Sequence, residues 1–423
     1  MQETRRSLIT SAVILILFFI GLGVLSTFPE YVEEYYSSNL YISIAQAQRF
    51  ISGFLPFAVG DVVYTLYAIW WLVTLIDVVK AVSKKTLLAR NFWMETSYNI
   101  RQFVFIIIVF YLLWGINYQR YGIAYQMNLT AKGFQPMELK PLGNEVVQTL
   151  NTIRAKIKPG KIHKPRSAQM YSSIATAYSD MALDYEFISY EYPSIKNSLY
   201  GGLMAKFGIS GYYNPFTGEA NVNNKLPSFI VPAVAAHEVA HQIGYASEDE
   251  ASFVGYLSTR YTVDPLIVYS QTLDLYFHIL REVGRVDTAL VKQWQQQLHP
   301  GVKQDIAEYR EYLQNNESFL NGLSSAAFDG FLKANSQEQG IQSYNLVLEW
   351  VLAFRKKNKH LYDLKKLEYQ DYQENPDEEK TSNKPTKPKK SGNKKAKETE
   401  NADVLLEDIA PDKTAPATDT TNQ

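Results

Sequence analysis

The stretch "AAHEVAHQIGYASEDEASF", residues 235–253, places two histidines four apart with a glutamate after the first, a glycine at 244 and an acidic run at 248–250. Four residues are about one helical turn, so the imidazoles of His237 and His241 emerge on one face and can both reach a single ion. Glu238 lies about 100° round the same helix. There a carboxylate stands beside the ion without being forced into its coordination, and can take a proton from a metal-bound water. The preceding run, "FIVPAVAA" (229–236), is apolar. It marks a buried helix, in which unpaired imidazoles would be costly, whereas the competing reading, two surface histidines, needs an exposed one. Gly244 is a suitable residue to end that helix.

The chain contains no cysteine, which excludes disulfide frameworks, thiolate metal sites and cysteine nucleophiles. A metal here must be held by histidine and carboxylate, and catalytic zinc uses three protein ligands with one open position. The third ligand is expected among Glu248, Asp249 and Glu250. Glu250 shares a helical face with Phe253, Val254 and Leu257, and that face must pack on something, the histidine helix being nearest. Glu250 is therefore the first choice and Glu248, on a face with Ala251, Ser252 and Gly255, the alternative. Ser247 with Glu250 also forms S-x-x-E, a capping box in which Glu250 would bond only backbone at the start of its own helix.

The run "HEVAHQIGYASEDEASF" resembles zincin metallopeptidases of the gluzincin type, in which H-E-x-x-H is completed by a glutamate on the following helix. The resemblance implies zinc bound by His237, His241 and Glu250, with Glu238 as general base. The spacing from His241 to Glu250 is shorter than in the best-known gluzincins. "WGINYQR" (114–120), the histidine region and "DGFLKANSQEQGIQSY" (329–344), with three apolar spans, look like a family of bacterial membrane proteins of unknown function presumed to be metallopeptidases. That likeness covers roughly residues 8–358. In zincins the strand before the active helix is an edge strand that pairs with an extended substrate. "GEANVN" (218–223) occupies the matching place and could add a peptide by strand augmentation, or be a plain hairpin. Tyr212, Tyr213 and Asn214 are candidates to bind substrate or polarise its carbonyl. His278 reads as a helix-surface or core histidine, and His163, His299 and His360 lie in polar surroundings.

Apolar runs at 8–28, 57–79 and 103–118 are each read as membrane spans, which makes the bilayer itself a partner. The first lacks a small-x-small cleavage site and so reads as an uncleaved anchor rather than a signal peptide. Asp61 and Asp77, near the ends of the second, are expected at the headgroup level. Trp70, Trp71, Trp114 and Tyr118 suit membrane interfaces and helix packing. Lysine and arginine concentrate in the loop 80–101, whereas the loop 29–56 is acidic apart from Arg49. The positive-inside rule then puts the N-terminus in the cytoplasm of a multi-pass cell-membrane protein and everything after about residue 119 outside it.

The expected class is thus α+β, mostly α, in three parts. Residues 1–118 form the membrane region, 119–365 a zincin-like metallopeptidase domain with a small sheet, and 366–423 a disordered charged tail. Helical periodicity marks 142–157, 168–183, 264–284, 286–298, 302–315 and 342–356, while the glycine- and asparagine-rich run 199–224 reads as short strands and turns. The tail is too poor in large apolar residues to offset chain entropy. A net charge of −1 argues against nucleic acid as a partner. The function expected is zinc-dependent hydrolysis of peptide or protein substrates on the extracytoplasmic side. A catalytically silent scaffold and an intramembrane protease are the alternatives, the latter disfavoured because the apolar run before Gly244 is too short to span.

Overall fold

The computed structural model describes residues 2–84, 90–130, 132–157, 162, 167–335, 337, 340 and 346–358. The tail expected at 366–423 lies outside them, as do His163 and His360. Three long helices start the chain: α1 (Gln2–Leu25), α3 (Val59–Ser83) and α4 (Arg90–Leu113). Between the first two, Tyr41–Gly53 forms α2 after a π-helical stretch at Val32–Leu40. Within the long helices, Arg6–Leu25, Val59–Ser83 and Trp93–Leu113 are long and apolar enough to cross a membrane. The third begins ten residues before the expected 103–118 and stops at Leu113. The helix ends there because Gly115–Gln119 turns as a 3-10 helix that is buried in protein.

Glycine and proline punctuate the remainder into α5 (Lys140–Lys156), α6 (Ser167–Asp184), β1 (Ile195–Asn197), α7 (Gly201–Lys206), β2 (Gly211–Asn214) and β3 (Glu219–Val222). Then come α8 (Val231–Gln242), α9 (Glu248–Leu257), α10 (Pro265–Gly284), α11 (Thr288–Gln297), α12 (Pro300–Asn316), α13 (Phe319–Ala334) and α14 (Val347–Lys357). Helices were expected near α5, α6, α10, α11, α12 and α14. The amphipathic α2 and α13 were not, and α7 lies where only strands and turns were expected.

The sheet has the order β1-β3-β2, with β1 parallel and β2 antiparallel to β3. The strand proposed as the substrate edge, "GEANVN", is therefore the central one, and the edges belong to β1 and β2. The alternative reading, a plain hairpin, is what forms: β2 and β3 pair antiparallel, and β1 covers the other side of β3. Register puts Gly211, Tyr213, Ala220 and Val222 on one face and Tyr212, Asn214, Glu219 and Asn221 on the other. The first face lies under α8. The second meets the N-terminus of α3, where the buried Glu219 carboxylate accepts the Val59 and Gly60 N–H groups and pairs with Lys196 at 2.9 Å. A carboxylate there satisfies helix-end donors and complements the helix dipole.

Asp61, in the first turn of α3, is correspondingly buried in protein. It accepts from Tyr212, from Ser198 Oγ and from the Leu199 N–H. Asp77 is exposed, as an interfacial position requires. One apolar core runs through α5, α6, α8, α9, α10, α11 and α14. A second joins Val32, Tyr36, Tyr41 and Ala45 to Trp114, Ile116, Tyr118, Tyr213 and Ala246. The loop between the first two spans thus shares a core with the residues beyond the third. The Leu25 end of α1 and the Phe110 end of α4 pack against this second core, and the Val59 end of α3 meets Glu219 of the sheet.

Candidate metal centre

Pro232 opens α8, and its far end closes as a Schellman turn. Gly244 has φ +95°, the Gly244 N–H bonds the His241 carbonyl at 3.1 Å and the Tyr245 N–H bonds the Ala240 carbonyl at 3.2 Å. The turn sets the site. It folds the Tyr245 carbonyl back to within 2.7 Å of His241 Nδ1. A carbonyl can only accept, so Nδ1 carries the proton and the neutral ring keeps its lone pair on Nε2.

Immediately after the turn, α9 packs on α8 through its small residues. Glu248, Ser252 and Gly255 follow one another at four and three residues, and a Cβ on Gly255 would lie 3.3 Å from His237 N. Ser252 Oγ holds His237 Nδ1 at 3.1 Å. Glu248 Oε2 lies 3.1 Å from His237 Nε2 and 3.6 Å from His241 Nε2, and the two Nε2 atoms are 3.1 Å apart. These three residues are the group able to hold a metal ion among the described residues. A tetrahedral ion with bonds of about 2.0–2.1 Å separates its ligands by about 3.3 Å, a value that falls inside the observed triangle. The donor set therefore fits such an ion.

Glu250, the expected ligand, points elsewhere. Its Oε1 accepts the Ile123 N–H at 2.8 Å, and its carboxylate fills the space over Gly122. Nor does it close a capping box, since Ser247 makes no side-chain cap and its hydroxyl bonds Asp249 and Gln337 instead. Phe253, on the large apolar face that Glu250 shares, packs against Phe354 of α14. The helices approach through the small face because only small side chains let two axes come close. The acidic alternative, Glu248, is the carboxylate brought to the histidines.

Burial works to raise the Glu248 carboxyl, but His241 and His237 outweigh it and hold it far below the usual range. Burial likewise lowers His241, yet the Glu248 carboxylate more than compensates, and the imidazole is pushed up to about 9. Glu238 is buried and its Oε2 has no hydrogen-bond partner among the described residues. Desolvation, opposed by the two histidines, pushes its carboxyl up to about 7. Its Oε1 lies against the first residue of β2, where a Cβ on Gly211 would come within 2.6 Å. The Glu238 carboxylate thus stands between the histidines and the edge strand, and only glycine leaves room for it.

A family model described as "Protein of unknown function (DUF3810)" matches residues 36–352. The chain belongs to that family. The match takes in Tyr36, Tyr41 and Ala45 of the second core, two of the three candidate spans and all three residues of the candidate metal centre. No curated protein and no solved structure matches the chain.

The three candidate substrate-binding residues are held by structural contacts. The Tyr212 hydroxyl is given to Asp61, and Tyr213 pairs with the Tyr41 hydroxyl at 3.3 Å beneath Trp114. Asn214 Oδ1 accepts the N–H groups of Phe216 and Thr217, which makes the β2–β3 turn. His278 pairs with Asp274 one turn away at 3.6 Å, and His299 caps α12. Sequence reasoning passed over Ser252, the Tyr245 carbonyl and Trp114. Of the two settings expected for Trp114 and Tyr118, membrane interface and helix packing, the structure shows packing: both are buried, and Trp114 lies against His241. Burial, then the Glu248 charge, push the Tyr118 phenol well above its usual range.

Proposed function

We propose that this chain is a membrane-anchored, zinc-dependent hydrolase, a metallopeptidase whose site faces the extracytoplasmic side. The observation that carries the reading is the triangle of His237, His241 and Glu248 with Glu238 beside it and a strand edge in front. His237, His241 and Glu248 would hold the ion. Zinc bound there would supply Lewis acidity to a carbonyl and lower the pKa of a water to about 7.

The rest belongs to the protein. Glu238, unpaired and raised to about 7, is suited to accept a proton at neutral pH and return it to a leaving amine. The Asn223 N–H bonds the Ser210 carbonyl at 2.9 Å and sets the phase of the β2–β3 ladder. By alternation Gly211 turns its N–H and C=O toward the free edge. An extended peptide pairing there would pass directly in front of Glu238. The lysine- and arginine-rich loop 80–101 supports a cytoplasmic position for the lower ends of the spans, opposite the domain. At 12 residues α8 is about 18 Å long, which favours a site above the bilayer over one within it.

Purified full-length protein should carry stoichiometric zinc, and Glu238→Gln should keep that zinc while peptide cleavage falls by roughly 10²–10⁴-fold. Zinc content unchanged by His241→Ala would remove the metal centre. Full turnover in Glu238→Gln would remove the assigned base.

A further inference from the structure

Helix α13 has an unusual surface for a protein in water. Of its 16 residues only Leu332 is buried. Phe319 is 82% and Leu323 61% exposed, and the only charges, Asp329 and Lys333, are paired at 2.7 Å. The neighbouring α7 and the residues just before it continue the surface, with Leu199 53% and Leu203 of α7 56% exposed. The two helices are latched together. Ser318 Oγ, at the N-cap of α13, bonds the Lys206 carbonyl, and Ser324 Oγ bonds the Phe207 carbonyl at 2.6 Å.

Both ends of this surface are tied to the spans below their upper limits. Tyr200, just before α7, bonds the Thr65 hydroxyl, six residues or about 9 Å into α3. At the other end the Phe331 ring packs on Phe110 at 6.0 Å, and Asn335 accepts from the Tyr111 hydroxyl at 2.7 Å. Phe110 and Tyr111 belong to the third span. The exposed apolar faces of α7 and α13 are thereby continuous with the lipid-facing sides of α3 and α4. Large contiguous apolar surface of this kind is covered in the native setting, and its position identifies the cover as lipid.

The same elements border the metal centre. Four residues separate Lys206 at the end of α7 from Gly211, where β2 meets Glu238. The Phe331 ring packs on Tyr118 at 5.9 Å. On the opposite face of the sheet, Tyr212 reaches Asp61 in the first turn of α3. A single sheet layer thus lies between Glu238, against Gly211 on one face, and the first turn of α3 on the other.

We infer that α7 and α13 lie embedded in the interfacial layer of the bilayer, so that the free edge of β2 lies at the membrane surface and takes the juxtamembrane segment of a membrane-anchored polypeptide. The substrate class rests on the hydrolase reading above; the lipid-embedded flank does not. Long-linker or soluble chains can reach this edge only by bending back to the bilayer, whereas a segment leaving the membrane is already at its depth.

The chain has no cysteine, which allows a two-part test on the intact protein in phosphatidylcholine/phosphatidylglycerol vesicles. Single spin labels at Leu203→Cys and Leu323→Cys should be several-fold more accessible to oxygen, relative to a water-soluble nickel complex, than a label at Lys292→Cys on α11. Equal nickel access at all three sites overturns the embedded flank. A mixed-sequence quenched-fluorescent peptide library is then compared in three forms: unacylated, palmitoylated close to the cleavable segment, and palmitoylated through a long flexible linker. The short-linker form should be cleaved at least tenfold faster than both others. Equal cleavage of short- and long-linker forms overturns the substrate class and leaves the hydrolase standing. An embedded flank with no cleavage of any form overturns the hydrolase and the substrate class, and leaves the lipid contact.

Discussion

Trp114, the first residue beyond the third span, donates its indole N–H to the His241 carbonyl at 3.1 Å and lies edge to face against the His241 ring at 5.9 Å. A membrane helix is thereby coupled to a candidate metal ligand with no intervening loop. Outer-shell partners of ligands typically change metal affinity by about 10–100-fold. Trp114→Phe, which keeps the ring contact but loses the donor, should weaken zinc binding toward the low end of that range, and Trp114→Ala toward the high end. Competition against a fluorescent chelator measures both, and unchanged affinity in Trp114→Ala would refute the coupling.

Glu248 and Glu250 provide the sharpest test of the donor set. Glu248→Ala should abolish stoichiometric zinc, because it removes one corner of the triangle. Glu250→Gln should retain zinc, since its oxygen bonds the Ile123 N–H. Metal analysis after dialysis decides the matter, and the reverse pattern would restore Glu250 as the ligand.

Zinc affinity should rise with pH. Burial depresses the His241 imidazole, but Glu248 prevails and raises it to about 9, so at neutral pH a metal ion must displace a proton. Affinity is expected to climb by up to about tenfold per pH unit below that value and to level above it. The proton itself has the opposite effect on the zinc-free chain. A raised folded pKa gives stability that is complete below the unfolded value of about 6.5 and is lost as pH rises through about 9. The gain in melting temperature on adding zinc should therefore grow between pH 6 and 9, each pH value a rough bound taken from those two ends. A constant gain would contradict the pairing.

Acid stability is expected to depend on Glu33. Burial opposes its ionisation, yet Arg120, the Gly122 N–H and Ser38 hold its carboxyl below the ordinary value. Such a depressed group stabilises the fold above the unfolded pKa of about 4.3, and the contribution is lost as pH falls through the lower folded value. Glu33→Gln should leave Arg120 buried without its counter-charge, cost about 3–5 kcal/mol and flatten the acid limb of the stability curve. Denaturant titrations across pH would show this directly.

Gly211→Ala tests the meeting of β2 and the candidate base. The added Cβ would lie 2.6 Å from Glu238 Oε1, so the carboxylate must move. Cleavage should drop by at least about tenfold, consistent with misplacement of a proton-transfer group, while zinc content stays unchanged. Equal loss of zinc and activity would mean that the helix, not the base, had shifted.

Local chemistry made His237, Glu238, His241 and the stop at Gly244 legible, because four-residue spacing and a glycine-dependent turn are properties of one helix. The three spans and most long helices were legible for the same reason, through runs and periodicities within single segments. The choice between Glu248 and Glu250 was not, because it depends on which face of α9 meets α8. The large apolar residues went to α14, and the small ones admitted the histidine helix. Strand order, and with it the identity of the free edge, was likewise a decision of pairing rather than of strand composition. Trp114 had the sequence of an interfacial aromatic, and only the fold turned it toward His241. In each of these cases the deciding term was contact between segments distant in the chain, which single-segment patterns do not encode.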